Sequence, residues 1–149
     1  MAAADGKLRV LFLCTGNSCR SQMAEGWARA LRGDRLEAYS AGTSPHGLNP
    51  LAVRAMREAG VDISHHTSKR PEEIGVALDL VVTVCGHADE HCPRFDGARV
   101  VHVGFDDPPK LAAGAANDDE AMPHYRRVRD EIRAFVASIE TLLAQDAAR

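Results

Sequence analysis

The chain opens its ordered pattern with Leu8-Arg9-Val10-Leu11-Phe12-Leu13, a near-continuous apolar run of the kind expected for a strand covered on both faces. Met23, Trp27 and Leu31 then recur at four-residue spacing within Gln22 to Leu31, which predicts a helix with one apolar face, closed by Gly33. Leu36 to Ser40 alternates and ends at Ala41-Gly42, a second strand. Asn49-Pro50 supplies an N-cap and a first-turn proline for a helix carrying Leu51, Val53, Met56 and Ala59 before Gly60. Asp79 to Val84 predicts a third strand, delivering Cys85, and Val100 to Val103 a fourth, delivering Gly104-Phe105-Asp106-Asp107-Pro108-Pro109. Lys110 to Glu120, rich in Ala, Gly and Asp, reads as a flexible surface loop, and Met122 to Ala144 as a long amphipathic helix through Tyr125, Val128, Ile132, Phe135, Val136, Ile139, Leu142 and Leu143. Strands alternating with helices predict an α/β fold: a small four-stranded parallel sheet with helices on both faces, a Rossmann-like three-layer sandwich. Ligands of such folds bind beyond the C-terminal strand ends. Three chemically loaded segments fall there: Cys14 to Ser21, Cys85 to Cys92, and Asp106 to Pro109.

Size and charge narrow the picture. A chain of 149 residues is expected to form one domain, residues 1–149, with no second core. A formal charge of −3 with scattered Lys and Arg gives no basic footprint for nucleic acid. No apolar run approaches the ~20 residues of a membrane span, and Met1 to Lys7 lacks the order of a signal peptide, so a soluble cytoplasmic monomer is expected. In that setting Cys14, Cys19, Cys85 and Cys92 are expected to be reduced, catalytic or metal-binding rather than structural disulfides.

Cys14-Thr15-Gly16-Asn17-Ser18-Cys19-Arg20-Ser21 places a thiol, five loop residues and an arginine where a strand hands over to a helix. Such a junction aims backbone N–H groups and the positive end of a helix dipole at one spot, so it can cradle a tetrahedral oxyanion without a metal. The same field favours sulfur as thiolate, and Arg20 supplies a planar donor fork. Gly16 permits close backbone approach, Asn17 tolerates a left-handed conformation, and Ser21 can donate to the sulfur or cap the helix. The plainer alternative is that Cys14 is a buried thiol and Ser21 an N-cap only; the spacing to Arg20 argues against it.

This Cys-x5-Arg-Ser loop resembles that of the low-molecular-weight tyrosine phosphatase fold. Gln22-Met23-Ala24-Glu25-Gly26 and the pair Cys85 and Cys92 narrow the resemblance to the thioredoxin-coupled arsenate reductases built on that fold. It extends through Tyr39 to Gly42, Asn49-Pro50, His66 to Ser68, Asp79 to Thr83, Cys92-Pro93, Gly104 to Pro108 and Arg127 to Ile132. It implies arsenate as substrate, phosphate or sulfate as analogues, thioredoxin as partner, no bound cofactor, and residual phosphatase activity. The implied relay has Cys14 attack arsenate held by Thr15, Gly16, Asn17, Ser18, Cys19, Arg20 and Ser21, with Asp107, beside Pro108, as general acid. A Cys14–Cys85 disulfide follows, then a Cys85–Cys92 disulfide. Bridged Cα atoms must lie within about 7 Å, so the segment from Gly86 to His91 has to move between the two disulfides. Cys19 has no role in the relay and is expected to pack.

Alternatives stand beside this. Cys85 alone reads as a core thiol, and Cys85, His87, His91 and Cys92 form a conceivable metal set, although adjacent His91 and Cys92 converge poorly on one ion. Asp106 or Asp107 can cap a turn. Some relatives bind potassium through residues matching Asn17, Glu25, Ser40 and Thr67 and an acid that is Lys69 here; Lys69 either replaces the ion by pairing with Glu25 or is a surface lysine. A tyrosine phosphatase using only Cys14, Arg20 and Asp107 is the enzymatic rival, but Pro108-Pro109-Lys110 lacks the tyrosines that branch carries after Asp-Pro. A thiol-based metal or arsenite sensor is the non-enzymatic rival, and it leaves Arg20 unexplained.

Overall fold

Four strands form one parallel sheet in the computed structural model, which describes residues 7–86, 92, 93, 95–139, 141 and 142. They are β1 (Leu8–Cys14), β2 (Leu36–Gly42), β3 (Leu80–Thr83) and β4 (Arg99–His102), in the order β2-β1-β3-β4. The register sets Leu13 beside Ala41 on one side and Thr83 on the other. Val10, Leu11, Phe12 and Leu13 are all 0% exposed. Successive strand residues face opposite sides, so this run is possible only because both faces of the sheet are covered. Along the edge strand β4 half-buried and exposed residues alternate instead.

The helices are α1 (Arg20–Arg32), α2 (Pro50–Glu58), α3 (Pro108–Leu111) and α4 (Asp118–Ala137), with a 3₁₀ turn at Pro71–Glu73. The apolar stripe of α4, Val128, Ile132 and Val136, is fully buried, and α4 packs on α1 and α2. Each such side chain contributes about 1.5–3 kcal/mol on leaving water. Trp27 fixes the α1–α4 contact: its indole N–H donates to the Arg129 carbonyl at 3.1 Å, and Arg133 stacks 5.4 Å above the ring.

One expectation is corrected. Lys110 to Glu120 is no continuous flexible loop, because α3 takes Lys110 and Leu111, and α4 begins at Asp118. The Asn117 side chain accepts from the Glu120 N–H at 2.9 Å, and Asp118, Asp119 and Glu120 sit in the first turn, where the helix dipole favours acids. Polar composition disguised a helix start as a loop. At its far end α4 closes at Ala137, with Ile139 buried beyond it; Leu143 and Ala144 lie outside the described residues. No helix among the described residues is long and apolar enough to cross a membrane.

Candidate active site

The chain runs outward from β1 to β2 and then returns across β1 to β3, so the strand order reverses between β1 and β3. A reversal of this kind leaves a crevice at the C-terminal strand ends. Cys14 ends β1, and Cys85 follows β3 by two residues, so the parallel pairing brings two buried thiols to neighbouring strand ends.

The loop between β1 and α1 is held by a directed chain of hydrogen bonds. Lys69 N–H donates to Asn17 Oδ1 at 2.9 Å, which orients the amide so that Nδ2 donates to Ser21 Oγ, also at 2.9 Å. Ser21 Oγ thereby accepts from Asn17 and lies 2.9 Å from Cys14 Sγ, a pair in which either atom can donate while the sulfur is a thiol and only Ser21 can once it is a thiolate. Asn17 is buried with φ 47°, the left-handed conformation its residue type suggested. Ser21 is not an N-cap: it lies inside α1, whose N-cap position is Cys19, and its hydroxyl faces the sulfur.

α1 supplies the field. α2 and α4 are each capped by an asparagine side chain, whereas α1 starts from Cys19 with no side-chain cap and no acid in its first turn. Its leading N–H groups are left for a ligand, at the positive end of a 13-residue helix. They face a cavity of about 450 Å³ lined by Cys14, Thr15, Gly16, Ser18, Cys19, Arg20, His46, Asp107 and Pro109.

Arg20 spans the cavity. Its guanidinium donates to the Phe105 carbonyl at 3.0 Å and lies 3.6 Å from Asp107 Oδ1, tying the anion loop to the segment after β4. Asp107 is therefore the carboxylate at the cavity, while Asp106 points away and pairs with Arg127 at 2.9 Å. Burial, reinforced by the negative charges of Cys14 and Asp107 and opposed by Arg20, pushes the Cys19 thiol well up, which keeps this sulfur protonated.

Thr15 connects the two strand ends, its Oγ1 lying 3.3 Å from Cys85 Sγ. Cys92 is half-buried, and its thiol donates to the Pro93 carbonyl at 3.4 Å. His87 and His91, from the alternative metal set, and all but Gly86 of the segment expected to move lie outside the described residues.

Behind the loop, Glu25 is buried, accepts from Ser40 Oγ at 2.7 Å and pairs with Arg29 at 2.9 Å. Of the two readings of Lys69, the ion pair with Glu25 is not formed: the ammonium donates to the Thr67 carbonyl at 2.8 Å. A cation one helical turn along α1 reaches Glu25 instead. His66 closes this layer, with Nδ1 2.9 Å from Gln22 Oε1 and Nε2 3.5 Å from Glu25. Gln22 Nε2 in turn donates to the Asn17 and Thr67 carbonyls, each at 3.0 Å.

Sequence reasoning passed over His46. It sits against Gly16 in the cavity lining and is exposed, and its only local signal was the Pro-His-Gly sequence before the Asn49 cap.

A thiol and an arginine on one loop, at the switch point of a parallel sheet with order β2-β1-β3-β4, define a phosphatase-like class. The family description of the low molecular weight phosphotyrosine protein phosphatases matches residues 9–148, and the chain belongs to that family and is an enzyme within it. It is 53% identical over 125 residues, 83% of this chain and 88% of the relative, to the arsenate reductase of Halalkalibacterium halodurans. Among solved structures it is similar to an arsenate reductase in the phosphate binding state, with a TM-score of 0.73 and 31% identity over 93% of this chain and 98% of that one. It is also similar to a thioredoxin-dependent arsenate reductase of Corynebacterium glutamicum, with a TM-score of 0.65 and 27% identity over 93% of this chain and 65% of that one.

Proposed function

We propose that this enzyme reduces arsenate to arsenite through three thiols, with thioredoxin restoring the dithiol. The observation that carries the reading is the second buried thiol, Cys85, at the strand end beside the anion loop and within 3.3 Å of Thr15 Oγ1. A phosphatase needs one thiolate, an arginine and an acid; two-electron reduction needs a second sulfur. The names of the relatives support arsenate as the oxyanion, and thioredoxin dependence is the description of the Corynebacterium enzyme.

In the proposed sequence, Cys14 thiolate attacks arsenic while Arg20 and the loop amides hold the oxygens, and Asp107 protonates the departing oxygen. Cys85 thiolate then attacks Cys14 sulfur. The S–S bond forms as the S–As bond breaks, and the bonding pair passes to arsenic, which leaves as arsenite. Cys92 attacks Cys85, freeing Cys14, and the Cys85–Cys92 disulfide takes two electrons from the dithiol of thioredoxin. Ser21, 2.9 Å from Cys14 Sγ, acts on the first step, since a thiolate can only accept and the hydroxyl is then the donor.

The test follows NADPH consumption with arsenate, thioredoxin and thioredoxin reductase in wild type and in Cys14→Ser, Cys85→Ser and Cys92→Ser. Turnover is expected in wild type and lost in each variant. Full activity of Cys92→Ser with thioredoxin would remove the third step. Wild type that hydrolyses a phosphate ester but consumes no NADPH would return the phosphatase reading.

A further inference from the structure

We propose that His46 is a substrate-binding residue: the outer wall of the oxyanion pocket, donating from its imidazole to a ligand oxygen across the cavity from Arg20. The proposal rests on the reading of the Cys14–Ser21 loop as an oxyanion site, and it concerns a residue 25 positions beyond Ser21 in sequence.

Two features place the ring. Thr43, Ser44, His46 and Asn49 donate their backbone N–H groups to the carbonyls of Cys14, Thr15, Gly16 and Ser18 at 3.1, 2.8, 3.0 and 2.9 Å. The segment after β2 is thus stitched to the anion loop almost residue by residue. The ring itself lies on Gly16 so closely that a Cβ added there would be 1.9 Å from Nε2, 2.5 Å from Cε1 and 2.6 Å from Cδ2. The Nε2 edge of the ring is therefore applied to the loop, and only glycine leaves room for it. This gives Gly16 a reason beyond backbone approach to the ligand.

What the ring does there follows from its neighbours. His46 shares the cavity lining with Cys14, Arg20 and Asp107. Among the described residues its ring nitrogens have no protein hydrogen-bond partner, in contrast to His66, which is held by Gln22 and Glu25. A donor held at the cavity wall by backbone bonds, with its edge against the loop, is suited to a tetrahedral oxyanion. Arg20 and the α1 amides already hold the oxygens near the sulfur; a donor at the mouth completes the shell around an oxygen pointing outward.

The decisive measurement is calorimetric titration of the reduced full-length protein with inorganic phosphate, at fixed pH and ionic strength, for wild type, His46→Ala and His46→Gln. A hydrogen bond to a charged ligand at a partly exposed site is worth roughly tenfold in affinity. His46→Ala is expected to bind phosphate about tenfold more weakly with an unchanged melting temperature. His46→Gln, which keeps an N–H donor without an imidazole, is expected to recover most of that loss. In the coupled assay the arsenate KM is expected to rise in the same proportion while kcat stays near wild type. Equal phosphate affinity in wild type and His46→Ala overturns the proposal, as does a Gln variant as weak as Ala, which would make the ring packing only. Wild type unable to bind phosphate overturns it too. Wild type that binds phosphate in the expected order but fails to reduce arsenate leaves His46 in place and removes the arsenate reading instead.

Discussion

At the scale of single residues, the site works by directing protons. Ser21 receives one hydrogen bond from Asn17 and shares another with Cys14, and Asn17 is itself fixed by the Lys69 backbone. The Asn17 amide fixes where the hydroxyl oxygen sits, so that a Cys14 thiolate, which can only accept, finds the Ser21 donor already in place. Ser21→Ala removes a hydrogen bond to an ionisable sulfur, worth roughly 1.5–3 kcal/mol when the acceptor is charged. Alkylation of Cys14 by iodoacetamide at neutral pH, read by mass spectrometry, is expected to slow at least about tenfold, with little change in fold stability. The family resemblance implied Asp107 as the acid, through its place directly before Pro108. The structure bears on this through Arg20, 3.6 Å from Asp107, and through Arg127, which takes Asp106 away.

At the scale of elements, helix starts divide the labour. α2 and α4 satisfy their own leading N–H groups with Asn49 and Asn117, while α1 leaves its start open to the cavity. Asn49 does more than cap: Oδ1 accepts from Leu51 and Ala52 N–H at 2.8 and 3.3 Å, Nδ2 donates to Tyr125 Oη at 3.0 Å, and its backbone N–H holds Ser18. Among the described residues the Asn117 side chain makes only the cap bond to Glu120. Replacing Asn117 by Ala is expected to cost about 1 kcal/mol in urea denaturation, and Asn49→Ala about 2 kcal/mol, since the second change loses the tie to α4 as well as the cap. Equal losses would mean that the Asn49–Tyr125 bond adds nothing. The cap at Asn49-Pro50 was legible from two adjacent letters, whereas the cap at Asn117 was not, because an acidic, alanine-rich stretch resembles a loop until a helix is seen to follow it.

At the scale of the whole molecule, a buried polar layer lies between the anion loop, β2 and the segment after α2. Its pH dependence follows from His66, whose imidazole is held below its usual range by burial; the Glu25 charge opposes this, and Arg29, His65 and Lys69 add to it. Between that lowered value and the ordinary histidine value of about 6.5, the unfolded chain binds more protons than the folded one, so stability rises with pH across that interval and is lost as pH falls through it. The stability advantage of wild type over His66→Gln is expected to be larger at pH 8 than at pH 5.5, measured by urea denaturation; an advantage that grew on acidification would contradict the assignment. The sequence by itself determined the local objects: four strands and their order of appearance, the Cys14–Ser21 loop at a strand-to-helix junction, and thiols at two strand ends. These follow from period, spacing and turn chemistry within a few residues, where backbone sterics and burial act directly. Only the tertiary structure decided which distant groups meet: His46 on Gly16, Arg29 rather than Lys69 at Glu25, and Gly26 kept bare because a Cβ would come within 2.7 Å of Ile63. Such contacts join residues through strand order and helix docking, and no local period carries that information.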